Sequence, residues 1–467
     1  MTVRVPVALL AWCVLAGISA AEPLTGTVSL DQCLAVALTE HPDLVIADAD
    51  VEQAGQVVGQ VRSGLLPQVN GAYVFTRQQQ TLSSLIGGPS GGTGALGVCV
   101  GGTSPGILCA INGNCPGGGT CQVPQVDTSA RFNFQRSGFS ATQLLFDFGQ
   151  KINETRAARE VQNAAGARRD STKDVVVLNV KASYYNLIAA RRLLTVAEET
   201  EGQTRLQLEE ARSRFEVGTA PRFDVTQQEV QVADAELARL TSVNAVALSR
   251  ENLRDAMGLA EPILFEPDDR SLDYLRVGVD DDTAMTQAFT HRPEMLDVQA
   301  RVRAQERQIA ALKADYLPAV RGTGEYKWTG QDRPEDESWI VGAAVTLSIF
   351  NGGLTAARVG EGRAALHRLE GEERRVGLAV RLEVRRALLD LREAEDSIRV
   401  SEKQVEQARE SLAIAEGRYS AGVGNVLEVS DAQVGLFRAR ANNVRKLADY
   451  WISVARLERA IGTRLDA

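Results

Sequence analysis

The sequence predicts a mainly α-helical chain built twice over, each half placing a pair of membrane-type β-strands ahead of a very long helix. Three observations carry this: landmarks that recur at fixed spacing, a six-heptad apolar seam, and short segments of strict two-residue alternation.

"LTEHPDL" holds Pro42 and "FTHRPEM" holds Pro293, and 25 residues after each comes "LLP" (Pro67) or "YLP" (Pro318). From Phe146 of "LLFDFGQ" to Gly218, and from Phe350 of "SIFNGGL" to Gly422, the interval is 72 residues both times. Such agreement marks an internal duplication. One interval differs, because Pro67 to Phe146 holds 47 more residues than Pro318 to Phe350. The excess is the glycine-rich stretch "IGGPSGGTGALGVCVGGTSPGILCAINGNCPGGGTC", expected to be an exposed loop without regular structure. The expected organisation is a signal peptide at 1–21, a first repeat at 22–257 containing the loop 77–128, a linker at 258–281, and a second repeat at 282–467.

The seam is clearest after Phe350. Val384, Leu391, Ile398, Val405, Leu412 and Tyr419 recur every seven residues, with Val380, Ala387, Ala394, Ser401, Ala408 and Ala415 four places earlier. Large residues facing small ones let helices approach closely. The first half repeats the seam with Val180, Leu187, Leu194, Leu208 and Phe215, interrupted by Glu201. No proline falls between Gln150 and Ala220 or between Leu354 and Ala467, so each helix can run about 65 residues, roughly 100 Å.

Alternation carries the strands. "VRGTGEYKWT" sets Val320, Gly322, Gly324, Tyr326 and Trp328 against Arg321, Thr323, Glu325, Lys327 and Thr329. "SWIVGAAVTLS" does the same with Trp339, Val341, Ala343, Val345 and Leu347, and "VNGAYVFT" and "ARFNFQRSGFSATQLLF" supply the pair in the first half. Period two over about ten residues with aromatics near the ends is the pattern of an outer-membrane barrel strand. Four strands cannot close a barrel. An open edge in lipid leaves backbone groups unpaired, so other chains must complete the sheet.

Export fits this reading. Arg4, the apolar run "VPVALLAWCVLAGI" and the small residues Ser19 to Ala21 form a secretory signal. Cys13 lies in that run, but Trp12 before it disfavours lipidation. Beyond the signal no apolar run reaches the roughly 20 residues of a spanning helix. Cys33 reads as buried filler in a helical pattern. Cys99, Cys109, Cys115 and Cys121 read as two disulfides, with three connectivities open, and no C-x-x-C pair or nearby His supports a metal there.

The net charge of -9 argues against nucleic acid as a partner. With only 3 His and no phosphate loop, nucleophile elbow or H-E-x-x-H, a secreted enzyme has no visible chemistry and no cofactor is expected. His41 and His291 stand beside prolines as helix-corner residues, and His367 lies in a charged helix.

The duplicated plan resembles the TolC family of outer-membrane efflux proteins. "RFEVGTAPRFDV" and "RYSAGVGNVLEV" are similar to that family's helix-tip segments, and "SLDQCLAVALTEHPDL" to its first helix, so the resemblance runs from Leu30 to Leu465. It implies a homotrimer whose four strands per chain complete a 12-stranded β-barrel in outer-membrane lipid, continued by a long periplasmic α-helical (coiled-coil) barrel. The implied role is the passive duct of a tripartite efflux or type I secretion system, partnered by a periplasmic adaptor and an inner-membrane pump. The alternative is a structural coiled-coil or periplasmic adaptor protein without a channel, which would not need the alternating strands.

By that resemblance Val217, Gly218, Thr219, Ala421, Gly422 and Val423 are adaptor-contact tips, and Glu428 with Asp431 form a periplasmic constriction. Three-residue spacing puts that pair on one helical face. Asp224 occupies the matching place in the first half, where Gln227 replaces the second carboxylate. For Asp224 the reading favoured is an acidic residue offsetting the helix macrodipole. Some relatives carry a basic residue shortly after the second turn glycine, where this chain has Gly424.

Overall fold

The computed structural model describes residues 26–81, 96–103, 105–110, 115–122, 129–263, 265–331 and 334–465. The expected signal peptide lies outside them. The chain divides into two compact units: Met1–Val58 with Thr155–Ile309 and Gly360–Ala467, and Gly59–Glu154 with Ala310–Val359.

In chain order the elements are β1 (Thr27–Val28), α1 (Leu30–Glu40), α2 (Pro42–Ser63), β2 (Gln68–Thr81), β3 (Leu96–Val100), β4 (Leu108–Ala110), β5 (Thr120–Gln122), β6 (Ser129–Phe146), α3 (Gln150–Glu216), α4 (Arg222–Ala256) and β7 (Glu266–Pro267). After a 3₁₀ turn at Asp269–Leu272 come α5 (Asp281–His291), α6 (Pro293–Ala314), β8 (Ala319–Gln331), β9 (Asp336–Thr346), α7 (Leu354–Ser420) and α8 (Val426–Ile461). Helix pair, strand pair and long helical hairpin therefore occur twice in the same order.

In the first unit, local signals place the corners. Ser29 and Gln32 form a capping box at the start of α1. Pro42 and Pro293 each open a helix, where the missing N–H costs nothing. The apolar seam becomes the core: Val384, Leu391 and Ile398 are buried with Val380, Ala387 and Ala394, and Val180 and Leu187 with Val176, Ala190 and Ala197. α3 and α7 are 67 residues each, about 100 Å at 1.5 Å per residue. Glu201, in the place held by Val405 in the second half, has a side chain only 8% exposed and is bound by Arg205 at 2.6 Å and Arg239 at 2.7 Å. Two guanidiniums make that buried carboxylate tolerable. Cys33 is wholly buried, and burial pushes its thiol up to about 12, as expected of a packing residue.

The second unit holds a four-stranded antiparallel sheet in the order β2-β6-β8-β9. Its register aligns Gly71, Phe139, Tyr326 and Trp339 in one row and Val69, Ala141, Gly324 and Val341 in the next. Directly opposed residues share a face, so this face is apolar and aromatic. Tyr326 packs edge-on against Trp328 with ring centroids 4.7 Å apart. The opposite face is mixed and more polar: one row holds Asn70, Ser140, Glu325 and Ile340, another Val74, Arg136, Thr329 and Asp336. Among the described residues β2 and β9 each have one partner strand, which leaves two sheet edges open.

The Cys/Gly-rich segment departs from expectation. It holds a second sheet, order β4-β3-β5, stapled by Cys99–Cys115 and Cys109–Cys121. Its glycines do not prevent regular structure; they permit close backbone crossings. A Cβ on Gly102 would stand 2.6 Å from the Pro116 carbonyl oxygen, and one on Gly119 2.4 Å from that of Gly101. With so small a core the disulfides do the holding. Replacing Cys99 and Cys115 by Ser is expected to destabilise this module by about 3 kcal/mol, the entropy of closing a loop of this length. Limited proteolysis should then cut between Leu96 and Gln122 while the four-stranded sheet stays intact.

Candidate functional site

Each long hairpin turns through a glycine. Gly218 has φ 76° and Gly422 φ 74°, a left-handed conformation that other residues adopt only at a cost. At the first corner Thr219 N–H donates to the Arg214 carbonyl at 2.9 Å and Gly218 N–H to that of Phe215 at 2.9 Å. At the second, Val423 N–H reaches Arg418 at 3.0 Å and Gly422 N–H reaches Tyr419 at 3.1 Å. This paired closure satisfies the last helical carbonyls. A Cβ on either glycine meets nothing within 4 Å. Val217, Gly218, Thr219, Ala421, Gly422 and Val423 are all exposed, with Val217 at 73% and Val423 at 69%.

Glu428 and Asp431 lie exposed on the first two turns of α8. Asn425 caps that helix, its side-chain oxygen accepting the Glu428 N–H at 2.9 Å. The Glu428 carboxylate is held by Arg418 Nε at 3.2 Å, and Arg418 also reaches the Val423 carbonyl at 3.4 Å. Asp431 has no ion pair among the described residues. Position 424 is tight: a Cβ there would stand 3.0 Å from Arg418 Cβ and 3.1 Å from Tyr419 N. The guanidinium near Glu428 therefore comes from before the turn.

Asp224 sits half-buried in the first turn of α4 and accepts the Tyr419 hydroxyl at 3.4 Å, joining the two hairpins. The Arg214 guanidinium lies 4.7 Å from the Tyr419 ring centroid. Burial first, and the Asp224 charge second, hold the Tyr419 hydroxyl above its ordinary range, so it stays protonated and donates. Further along, buried Gln228 donates to Ser430 at 3.4 Å, while amide atoms of Gln207, Gln228 and Gln433 find no protein partner. A cavity of about 520 Å³ opens here, lined in part by Gln207, Gln228, Tyr419 and Val429. Tyr419→Phe removes the link to Asp224 and is expected to lower stability by at most about 1.5 kcal/mol, read from the denaturant midpoint.

Arg418, Asn425 and Gln228 were not singled out from sequence, and Tyr419 was read there only as a seam residue. A signal existed for the first: Arg214 and Arg418 stand at the same place, four residues before each turn glycine.

The chain thus holds a sheet with an aromatic face and, among the described residues, two open edges, and, separately, a helical unit whose two hairpins end in exposed glycine turns. The family model described as "Outer membrane efflux protein" matches residues 118–259 and 284–463. That is well over half of the chain, and the chain belongs to this family, as the TolC resemblance implied. The outer membrane protein TolC of Vibrio cholerae is 21% identical over 361 residues, covering 73% of this chain and 82% of the relative. The pyoverdine export outer membrane protein OpmQ of Pseudomonas aeruginosa is 22% identical over 447 residues, covering 94% and 84%. Among solved structures, the outer membrane protein VceC of Vibrio cholerae superposes with a TM-score of 0.71 at 16% identity, over 94% of this chain and 97% of that one.

Proposed function

We propose that the protein is the outer-membrane duct of a tripartite efflux or type I secretion system, a passive conduit and not an enzyme. It works as a homotrimer: three four-stranded sheets close a 12-stranded barrel in lipid, and the helical hairpins continue it into the periplasm. The observation that carries this is the sheet itself, with an aromatic face, a more polar face and, among the described residues, two unpaired edges. In lipid such edges must be paired, and copies of the same chain supply matching ones. Exposed leucines agree with a ring. Leu237, Leu240 and Leu248 lie on α4, and Leu378, Leu382 and Leu389 on α7, two different surfaces suited to head-to-tail contact.

Cargo arrives from an inner-membrane pump through a periplasmic adaptor, which contacts the exposed turns. Opening consists of splaying the hairpins, breaking the Tyr419–Asp224 link and wetting the glutamine layer. Glu428 and Asp431 from three protomers form the acidic constriction, with Asp224 behind them. Repeats at 22–257 and 282–467, a linker at 258–281 and a leader at 1–21 complete this reading.

The test is single-channel conductance of purified protein in planar bilayers, wild type beside Glu428→Ala/Asp431→Ala. A ring of carboxylates attracts cations. The wild type is therefore expected to be cation-selective, and the variant to conduct more, lose selectivity and resist block by multivalent cations. Release of the protein from outer membranes by carbonate would instead overturn the barrel.

A further inference from the structure

A groove of about 390 Å³ lies on the first unit, lined by Arg156, Arg159, Glu160, Gln162 and Asn163 of α3 and by Arg307 of α6. Three of these residues are arginines, and none of Arg156, Arg159 and Arg307 has an ion pair or side-chain hydrogen bond among the described residues. The one lining carboxylate is already engaged: Glu160 accepts Arg303 Nε at 3.0 Å and Asn163 Nδ2 at 3.3 Å. Glu306 neighbours Arg307 in sequence but does not line the groove, since adjacent helical residues face different ways. The result is a local excess of unneutralised guanidinium on a chain whose net charge is -9. Arg156, Arg159 and Arg307 are all solvent-exposed, so this positive charge is open to an anion from outside the chain.

We propose that this groove binds a phosphate-bearing anion. Guanidiniums present planar forks of donors that match phosphate oxygens in pairs, and the Gln162 amide, which also lines the groove, adds a neutral donor. Two sources share this chemistry, the headgroup of an anionic phospholipid and a free phosphate. The place in the chain favours the lipid. Arg156 follows the last residue of β6 by ten residues, and Arg307 precedes the first of β8 by twelve, so the groove belongs to the helical stretches that adjoin the membrane strands in sequence. Basic pockets beside membrane spans recognise anionic headgroups in this way. The lipid arm rests on the outer-membrane reading; the phosphate chemistry does not.

The experiment uses assembled protein in neutral detergent, wild type beside Arg156→Gln/Arg159→Gln/Arg307→Gln. Native mass spectrometry after equilibration with equal phosphatidylglycerol and phosphatidylethanolamine reads lipid retention, and a separate titration with inorganic phosphate reads the melting midpoint. Wild type is expected to retain phosphatidylglycerol with about tenfold preference, as charge-assisted hydrogen bonds would give, and the variant to lose that preference. A saturable upward shift with inorganic phosphate but no lipid preference would keep the site and assign it to a soluble anion. Neither response, or equal responses from the variant, overturns the proposal. If the triple variant fails to assemble, the arginines serve contacts between copies; Arg307→Gln alone then decides, because unchanged ligand response in that variant also overturns the site. A channel that conducts normally while binding no phosphate would separate this failure from failure of the duct.

Discussion

Lys181→Met is expected to lower the stability of the helical unit by about 3–5 kcal/mol. Lys181 Nζ on α3 pairs with Glu458 Oε2 on α8, with side chains 8% and 11% exposed. The other Glu458 oxygen accepts the Leu465 N–H at 3.1 Å. Removing the ammonium strands a buried carboxylate where the first repeat meets the second, and an uncompensated charge costs more than the pair contributed. A cavity of about 450 Å³, lined among others by Lys173, Asp174, Arg459 and Arg464, flanks the pair. Water reaching the carboxylate through it, and those neighbouring cations, set the loss at the lower end of the range. At about 1.5 °C per kcal/mol for a unit of this size, the melting midpoint should fall by roughly 4–5 °C. Lys181→Met with Glu458→Leu should recover most of the loss, because no charge is then left buried. A single variant that melts with the wild type would show that the pair is not desolvated.

The same pair illustrates what the sequence conceals. Period and spacing are local, so they announced the duplication, the seam and the alternating strands. Val384, Leu391 and Ile398 are buried because a heptad on a straight helix can present them to one side only. The turn glycines were legible for the same reason, since a helix end followed at once by another helix start needs a left-handed residue. Contacts between distant segments leave no such trace. Glu201 looked like a fault in the seam until Arg239, on the next helix, was seen beside it. Spacing left three ways to pair the cysteines, and the fold joins Cys99 to Cys115 and Cys109 to Cys121 even though Cys99 stands opposite Cys121 in the β3–β5 register. Glycine density was misread because composition tells how freely a chain can bend, not how closely its backbones must cross. At the tips, the spacing puts Glu428 and Asp431 three residues apart at the start of α8, where both are exposed. What composition could not give was Glu428's engagement with Arg418, which depends on the turn folding the chain back by ten residues.

Replacing both turn glycines with a bulky residue, Gly218→Trp with Gly422→Trp, is expected to abolish pump-dependent export while leaving trimers assembled. The folding cost is limited. A non-glycine residue in the left-handed region costs roughly 1–2 kcal/mol, and a side chain at either position points into open space. The corners close hairpins of 67-residue helices whose buried seams lie elsewhere, so that strain is small against the packing that joins them. What changes is the surface. Val217 and Val423 stand next to these glycines as exposed apolar residues, and a partner docking on such small knobs must approach the backbone closely. An indole at each corner keeps it away. Gly424→Ala serves as the contrasting variant: its Cβ presses on Arg418 and the Tyr419 backbone within the turn and leaves the outer surface alone, so it should disturb gating more than docking. Heat-modifiable migration reads assembly, cross-linking to the adaptor reads docking, and cargo export reads function. Loss of assembly in the tryptophan variant would make the turns structural elements only, whereas intact trimers that no longer cross-link or export would make them the docking surface.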